Sequence, residues 1–598
     1  MNMHVTPKAS FKNRVWQEPQ ITPEQITALI DAGANALTAP ILAAREMAST
    51  QVADFLSPTI RSLMPNPSFF VDMDKAADRL TKAIIEGQKV AIWSDYDVDG
   101  ATSAATLGRF LRDCGRPDFD LYIPDRIHEG YGPNAPGLLG LQKNGAELVC
   151  ILDSGTMAHE PLKAAQEANL DVVVIDHHTA EEEVPPAVAL VNPNRLDQEK
   201  GYGHLCAAGM TFIFCIAVNM RLRNANWFDG QDGRPATGPD LMSYLDLVAL
   251  GTICDVVALQ GLNRAFVMRG LPYLSDRGLP GVRALASIAG CNEEIDPRAC
   301  GFALGPRINA GGRIGDSASG ATLLLCPDPD EAHAMALHLN DLNMERQEME
   351  KACTQEALSQ VQGKFIPGET RKLAFAIVDA HEGIVGISAA RLKEAVDAPA
   401  FVVAPTPEGL LKGSGRSVSG FNIGDAIISA AKKGILVKGG GHAMAGGLTI
   451  EHDKVDEFIS YMNEEIANSD YAVTGVQSKV DTVIIINQAT VGLCDAVQSL
   501  APFGMGNPTP RVVLSKVILS DVVNLKDKHI KCIFEDPELG PAGPRVEGLI
   551  WNCVGTPFGD ELFSAKGEIV DALGALEINE WKRQRRVQMK IEDVRISM

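Results

Sequence analysis

From residue 90 onward the chain alternates short apolar runs with segments of helical composition. Residues 90–93, 121–123, 148–152, 172–175 and 188–191 are too short and too rich in Val, Ile and Leu to be helices, so they predict buried strands. Segments 101–113 and 160–169 between them predict helices. Strand–helix alternation of this kind implies a mostly parallel sheet covered on both faces, with its active site at the carboxyl ends of the strands. From Pro329 the next glycine is Gly363 and no further proline intervenes, which predicts a helix of roughly 50 Å acting as a rigid spacer. A second α/β unit follows, with strands near 373–378 and 400–403, helices near 387–394 and 423–433, and glycine runs at 413–415 and 439–447. After Gln477 the period becomes two: Val587, Met589 and Ile591 alternate with Arg586, Gln588, Lys590 and Glu592. With similar strands at 512–514, 530–534 and 546–551, this predicts a small β-barrel of the oligonucleotide-binding (OB) type. The first 80 residues carry no clear pattern and read as a short helical extension packed on the domain after it.

The expected division is therefore an N-terminal extension (1–80), a parallel-sheet domain (81–328), a spacer helix (329–364), a second α/β domain (365–476) and an OB-like barrel (477–598). A length of 598 residues is too great for one core and agrees with several domains. No apolar stretch approaches the roughly 18 residues of a membrane helix, and the N-terminus has no apolar block behind its charges, so a cytoplasmic protein without a membrane span is expected. The 12 cysteines include no CxxC pair and mostly sit in apolar runs, as buried free thiols do in a reducing compartment. A net charge of −22 argues against indiscriminate adhesion to polyanions, yet leaves room for a narrow basic groove.

The candidate chemistry lies at the strand ends. Ser94-Asp95-Tyr96-Asp97-Val98-Asp99-Gly100 comes directly after the first strand; if the strand runs on, Asp95, Asp97 and Asp99 project to one side and Gly100 turns the chain into a helix near residue 101. Like charges about 4 Å apart repel by roughly 1–4 kcal/mol per pair, which calls for cations or raised pKa values. Two more strands end in Asp153-Ser154-Gly155 and Asp176-His177-His178, and Asp255 comes after a predicted helix. Carboxylates mixed with imidazole suit Mn²⁺ or Mg²⁺, and two ions roughly 3.5–4 Å apart can hold the attacking and departing oxygens of a phosphodiester. Taken singly, an acidic strand end is often a helix cap and a His pair is often structural; the recurrence at three strand ends is what favours chemistry. No glycine run ends in GKS or GKT, so NTP hydrolysis is not indicated. Of the two runs, 413–415 reads as a plain turn, whereas 439–447, with His442 inside it, reads as a substrate contact.

These motifs resemble the Asp-His-His phosphoesterase superfamily and, within it, the bacterial exonucleases of single-stranded DNA. The resemblance runs from about Phe69 to the C-terminus. It is carried further by Ile123-Pro124-Asp125-Arg126 with Glu129-Gly130-Tyr131-Gly132, by the run from Gly305 through Arg313, and by the run from Gly439 through Gly447. It implies that Asp97, Asp99, Asp153, His177 and Asp255 ligate two ions, with Asp153 between them. It further implies that Asp95 stands behind the ligands, that Asp176 orients a neighbour, and that His178 ligates or donates to the phosphate. Arg126, Ser414 and Arg416 would hold a terminal 5′ phosphate, while Arg307 and Asn309 sit in the segment facing the substrate. The implied activity is 5′→3′ hydrolysis of single strands to 5′-mononucleotides in repair and recombination, with a single-strand-binding protein and a helicase as partners. A monomer is expected. The second lobe would leave a channel too narrow for a duplex, and the basic run 582–586 reads either as a strand contact or as a solvated hairpin. Two alternatives stand beside this: a phosphodiesterase for small substrates such as nanoRNA or cyclic dinucleotides, and a non-catalytic single-strand scaffold.

Overall fold

A computed structural model describes residues 10–597 apart from 127, 232, 277, 292, 366–369, 475 and 582. The chain forms two compact units. One is Asp54–Arg346 with Pro502–Pro508; the other combines the chain up to Ala53, Gln347–Ala501 and the chain from Thr509.

The first unit is built on a five-stranded, all-parallel sheet in the order Phe119–Tyr122, Val90–Ser94, Leu148–Leu152, Asp171–Ile175, Ala189–Val191. Strand side chains alternate between two cores. Ile92, Cys150, Leu152, Val173 and Ile175 pack with the helices Met73–Glu86, Val98–Asp113 and Ala207–Asn224. Ala91, Trp93, Val149, Ile151 and Val174 pack with Ala135–Lys143 and His159–Glu167 on the opposite face. Burial on both faces is why the strands read as continuous apolar runs. In register, Ser94 pairs with Leu152, Leu152 with Ile175, and Ile175 with Val191, so four strands end level. The strand order reverses between Val90–Ser94 and Leu148–Leu152, the switch point at which open α/β sheets bind ligands. The expected boundary at 80/81 falls inside the helix Met73–Glu86, whose Ala76, Ala77, Leu80, Ala83 and Ile84 are core residues of this unit.

The long helix spans Pro329–Val361, three residues shorter than predicted, and belongs to the first unit as far as Arg346 and to the second from Gln347. In the second unit a five-stranded mixed sheet runs in the order Lys438–His442, Ala445–Ile450, Leu411–Arg416, Ala400–Pro405, Ala374–Ile377. The turn expected at 413–415 is a strand. Gly413 and Gly415 are required there because an added Cβ would lie 2.3 Å from the Val402 carbonyl oxygen or 2.4 Å from the Phe401 ring. The run 439–447 is a β-hairpin in which Gly440 faces Gly447 and Gly441 faces Gly446.

From Val512 the strands Val512–Leu525, His529–Asp536, Gly540–Ile550, Gln584–Ile596 and Ile569–Trp581 pair in that order, and the first also pairs with the last, which closes a five-stranded barrel of the OB type. Its strands are longer than the short runs predicted. Register shifts at Leu514/Val517, Leu519/Asp521 and Leu573/Gly574 bend them around the barrel and break the strict alternation that sequence reading depends on. In the basic run, Arg585 is held by Asp495 and Trp581 pairs with Gln584, which favours the hairpin reading; Lys582 lies outside the described residues.

The N-terminal segment, expected to pack on the domain after it, belongs as far as Ala53 to this unit instead and braces it, because its one strand finds its partner far along the chain. Val15–Gln17 pairs in parallel with Gln477–Lys479, Trp16 is buried with Val480, Val513 and Leu573, and Arg45 bonds Asp481 at 2.7 Å. The Trp16 indole N–H donates to Asp593 at 3.1 Å. Trp16→Ala is expected to destabilise this unit by about 3–5 kcal/mol, because it opens a cavity and strips a buried carboxylate of a donor. Denaturant unfolding followed by hydrogen exchange in Gln584–Ile596 checks this; a change under about 1 kcal/mol would show that the strand is dispensable. Among the described residues no helix is long and apolar enough to cross a membrane.

Candidate active site

The level strand ends deliver Asp95, Asp153 and Asp176 to one edge of the sheet, each as the residue immediately after its strand. The first strand does not continue through Asp99 as expected. It stops at Ser94, the Asp97 carboxylate accepts the Gly100 N–H at 3.0 Å as an N-cap, and the helix begins at Val98. Asp99 therefore enters from the first helical turn. The tight path requires Gly100, since an added Cβ would lie 2.3 Å from the Asp95 carbonyl oxygen. Asp153 adopts φ 59°, a left-handed conformation that Asp and Asn tolerate better than most residues.

Two helices complete the cluster. The Asp99 oxygens accept N–H groups from Ala207 (2.6 Å) and Ala208 (2.9 Å), at the positive end of Ala207–Asn224. The helix Leu245–Cys254 passes close over Asp99 because position 251 is glycine: a Cβ there would lie 2.9 Å from Asp99 Oδ1 and 2.4 Å from Thr102 Oγ1. That passage sets Asp255, the C-cap of this helix, opposite His177. His177 Nε2 stands 3.3 Å from Asp153 Oδ1, 3.7 Å from Asp255 Oδ2 and 3.8 Å from Asp99 Oδ2. Ligand atoms of Asp95, Asp97 and Asp153, of Asp99, His177 and Asp255, and of Asp153, His177 and His178 form three groups, each within 4.8 Å.

Crowding and burial set the electrostatics. Burial first, and then the neighbouring carboxylates, push Asp95 and Asp153 above the usual carboxylate range and raise Asp255 to about 9; burial raises Asp99 too, against the pull of His177 and with help from Asp97. Asp95 Oδ1, Asp153 Oδ1, Asp255 Oδ2 and His177 Nε2 are buried without a hydrogen-bond partner. Such atoms are costly unless something else meets them. Mutually repelling carboxylates gathered with an imidazole, and left without hydrogen bonds, fit hard divalent cations.

Asp176 behaves differently. Burial alone would raise its pKa, but the hydrogen bond from His178, and then those from Thr156, hold it well below the usual range. It accepts Thr156 N–H (2.9 Å), Thr156 Oγ1 (2.6 Å), His177 N–H (2.7 Å) and His178 Nδ1 (2.8 Å). With Nδ1 so engaged, the other ring nitrogen of His178, Nε2, lies 3.1 Å from the Tyr131 hydroxyl. Burial opposes the charged imidazole, yet the bond to Asp176 outweighs it and raises the His178 pKa.

Sequence reading missed several supports. The Tyr131 hydroxyl donates to the Asp153 carbonyl at 3.1 Å and meets the His178 ring at 3.1 Å. Asn192 donates to Thr156 Oγ1 and to the His178 carbonyl at 2.8 Å, and Asn194 to the His177 carbonyl. Asn192-Pro193-Asn194 comes straight after the Ala189–Val191 strand, so the logic of strand ends, carried one strand further, finds it. Of the other expected site residues, Arg126 lies over the Tyr96 ring at 5.0 Å. Arg307 and Asn309 occupy the helix Gly305–Ile314, whose Gly312 packs on Tyr96. Ser414, Arg416 and His442 belong to the second unit; Arg416 and His442 both pair with Ala445, and Arg416 bonds Ser414 Oγ at 3.1 Å.

A parallel sheet whose strand ends gather acidic side chains around an Asp-His-His triplet defines a phosphoesterase of the DHH class. Family comparison agrees: the DHH family N-terminal domain matches residues 89–252, the DHHA1 domain 370–468 and the RecJ OB domain 480–593. The single-stranded-DNA-specific exonuclease RecJ of Dickeya dadantii is 33% identical over 528 residues, covering 87% of this chain and 89% of its own length. The Escherichia coli protein of that name is 32% identical over 87% of this chain and 90% of its own, and the Bacillus subtilis one 31% identical over 97% and 69%. The solved structure of Thermus thermophilus RecJ in complex with Mn²⁺ superposes with a TM-score of 0.79 at 25% identity, covering 98% of this chain and 80% of that one. A structure of exonuclease RecJ bound to manganese gives 0.56 at 30% identity, over 69% and 98%. The chain belongs to the RecJ family.

Proposed function

We propose that this chain is a single-stranded-DNA-specific exonuclease that hydrolyses phosphodiester bonds at the Asp-His-His centre with Mn²⁺ or Mg²⁺ as cofactor. The observation that carries the reading is the crowd of mutually repelling carboxylates of Asp95, Asp153 and Asp255 around His177 at the level strand ends, with Asp95 Oδ1, Asp153 Oδ1, Asp255 Oδ2 and His177 Nε2 buried and without a hydrogen bond. Asp97, Asp99, Asp153, His177 and Asp255 would hold two ions, with Asp153 shared. Bound ions of this kind lower the pKa of water and offset charge on phosphate oxygens. The chain's own groups prepare the centre: helix N–H groups fix Asp99, Asp176 fixes His178 through Nδ1, and Tyr131 braces both Asp153 and His178. Asp95 stands behind the ligands, and Arg126, Arg307, Asn309, Ser414, Arg416 and His442 are assigned to the substrate strand and its phosphates.

A small-substrate phosphodiesterase has no use for the OB barrel, and a non-catalytic scaffold would bear the carboxylate repulsion without benefit. The family resemblance supports 5′→3′ polarity, 5′-mononucleotide products, and action beside a single-strand-binding protein and a helicase; a cytoplasmic monomer completes the proposal, on the apolar pattern of the sequence and its several self-contained domains. Turnover of end-labelled single strands, duplexes and dinucleotides in Mn²⁺ tests the whole reading. Equal rates on duplex and single strand, or turnover of dinucleotides alone, would replace it. Asp176→Asn should lower kcat roughly 10- to 100-fold with folding retained, since it weakens the hold on His178. A pH–rate profile checks the role: unchanged kcat and profile would make Asp176 a purely structural acceptor.

A further inference from the structure

Among the described residues Phe302 is the most exposed large apolar side chain, at 80%. It is the middle residue of a single π-helical turn, Cys300–Leu304, whose end residues Cys300 and Leu304 are buried and so direct it outward. Wide turns of this kind cost hydrogen-bond geometry and recur at functional sites.

Its position ties it to the centre. The helix Gly305–Ile314 begins at the next residue after this turn. A Cβ at Gly305 would lie 2.8 Å from Sγ of Cys254, the neighbour of Asp255, and one at Gly312 would lie 3.0 Å from the carbonyl oxygen of Tyr96, between Asp95 and Asp97. This helix therefore packs, near both its ends, against residues next in sequence to the acidic cluster, with Phe302 less than a turn, roughly 5 Å, before its start. Arg307 lies beside it, donating Nη1 to the Ala303 carbonyl at 2.7 Å and Nε to Asn340 at 3.1 Å. Asn309 Oδ1 on the same helix is buried and without a partner.

We propose that Phe302 is a stacking platform for an unpaired base of the substrate strand, with Arg307 taking the adjoining phosphate. The inference rests on the exonuclease reading and deepens it. An aromatic face beside a guanidinium suits a single strand, whose bases offer free π-faces whatever their sequence, whereas a duplex keeps its bases stacked on one another. One ring is too little apolar area for a protein partner, for which a contiguous patch of several hundred Å² is usual.

The test uses the full-length enzyme with Phe302→Ala and Phe302→Trp. Phe302→Ala should raise KM for a 20-nucleotide single strand by roughly 5- to 100-fold, with kcat within about twofold, and leave dinucleotide hydrolysis and the melting temperature unchanged. Phe302→Trp should restore KM, and its added indole emission should be quenched when the strand binds in EDTA. An unchanged KM in Phe302→Ala, equal losses on strand and dinucleotide, or no quenching in Phe302→Trp would overturn the proposal. Wild-type digestion of the same strand, run alongside, keeps that failure separate from failure of the exonuclease reading.

Discussion

Asp153→Asn is expected to lower kcat on single-stranded DNA by roughly 10³-fold or more, with the fold unharmed, because on the proposed assignment it removes a ligand shared by two ions rather than an outer support worth 10- to 100-fold. Asparagine is the suitable probe, since it tolerates the left-handed backbone at this position (φ 59°) and matches the carboxylate in shape. The stability effect has a definite sign. Burial and then Asp99, Asp97, Asp95 and Asp255 raise the Asp153 pKa above its unfolded value. A carboxyl raised in this way costs stability once the pH exceeds the unfolded pKa, so its neutral replacement should melt at the same or a higher temperature in EDTA at neutral pH. Activity above about a tenth of wild type in Mn²⁺ would exclude Asp153 from the centre. A large loss of stability in EDTA would contradict the electrostatic account.

Removal of divalent cations should abolish hydrolysis and also loosen the unit Asp54–Arg346. A cation bound only by the folded state stabilises it by about 2.7 kcal/mol at a concentration of 100 Kd. The gain should be concentrated where the carboxylates converge: the strand ends and the helices Val98–Asp113 and Ala207–Asn224. Hydrogen exchange with Mn²⁺ and with EDTA reads this by segment. Slower exchange in Mn²⁺ in these elements, and no such slowing in Asp153→Asn, is the expected pattern. Equal exchange under both conditions would mean that no ion binds there.

Much of this centre is legible in the sequence alone. Buried parallel strands are apolar on both faces, so each stands out as a short run, and the polar residue that ends it is marked by contrast; Asp95, Asp153 and Asp176 are found that way. What escapes depends on contacts distant in sequence. Gly251 looks like any helical glycine until Asp99 is seen beneath it. The start of the helix at Val98 hides behind Asp97, because an aspartate serves equally as ligand and as cap. The barrel strands read as fragments because their register shifts interrupt the period of two, and Val15–Gln17 is too short to announce a strand without its partner.

The level ending of the four parallel strands sets rules for what the chain can absorb. One residue inserted within Leu148–Leu152 would advance its terminal aspartate by about 3.3 Å and turn it to the opposite face of the sheet. Connections at the amino edge carry no such obligation. Length variation, tags and cross-linking handles are therefore best accommodated before the strands begin, while the sheet itself behaves as a ruler that tolerates substitution far better than a change in its count.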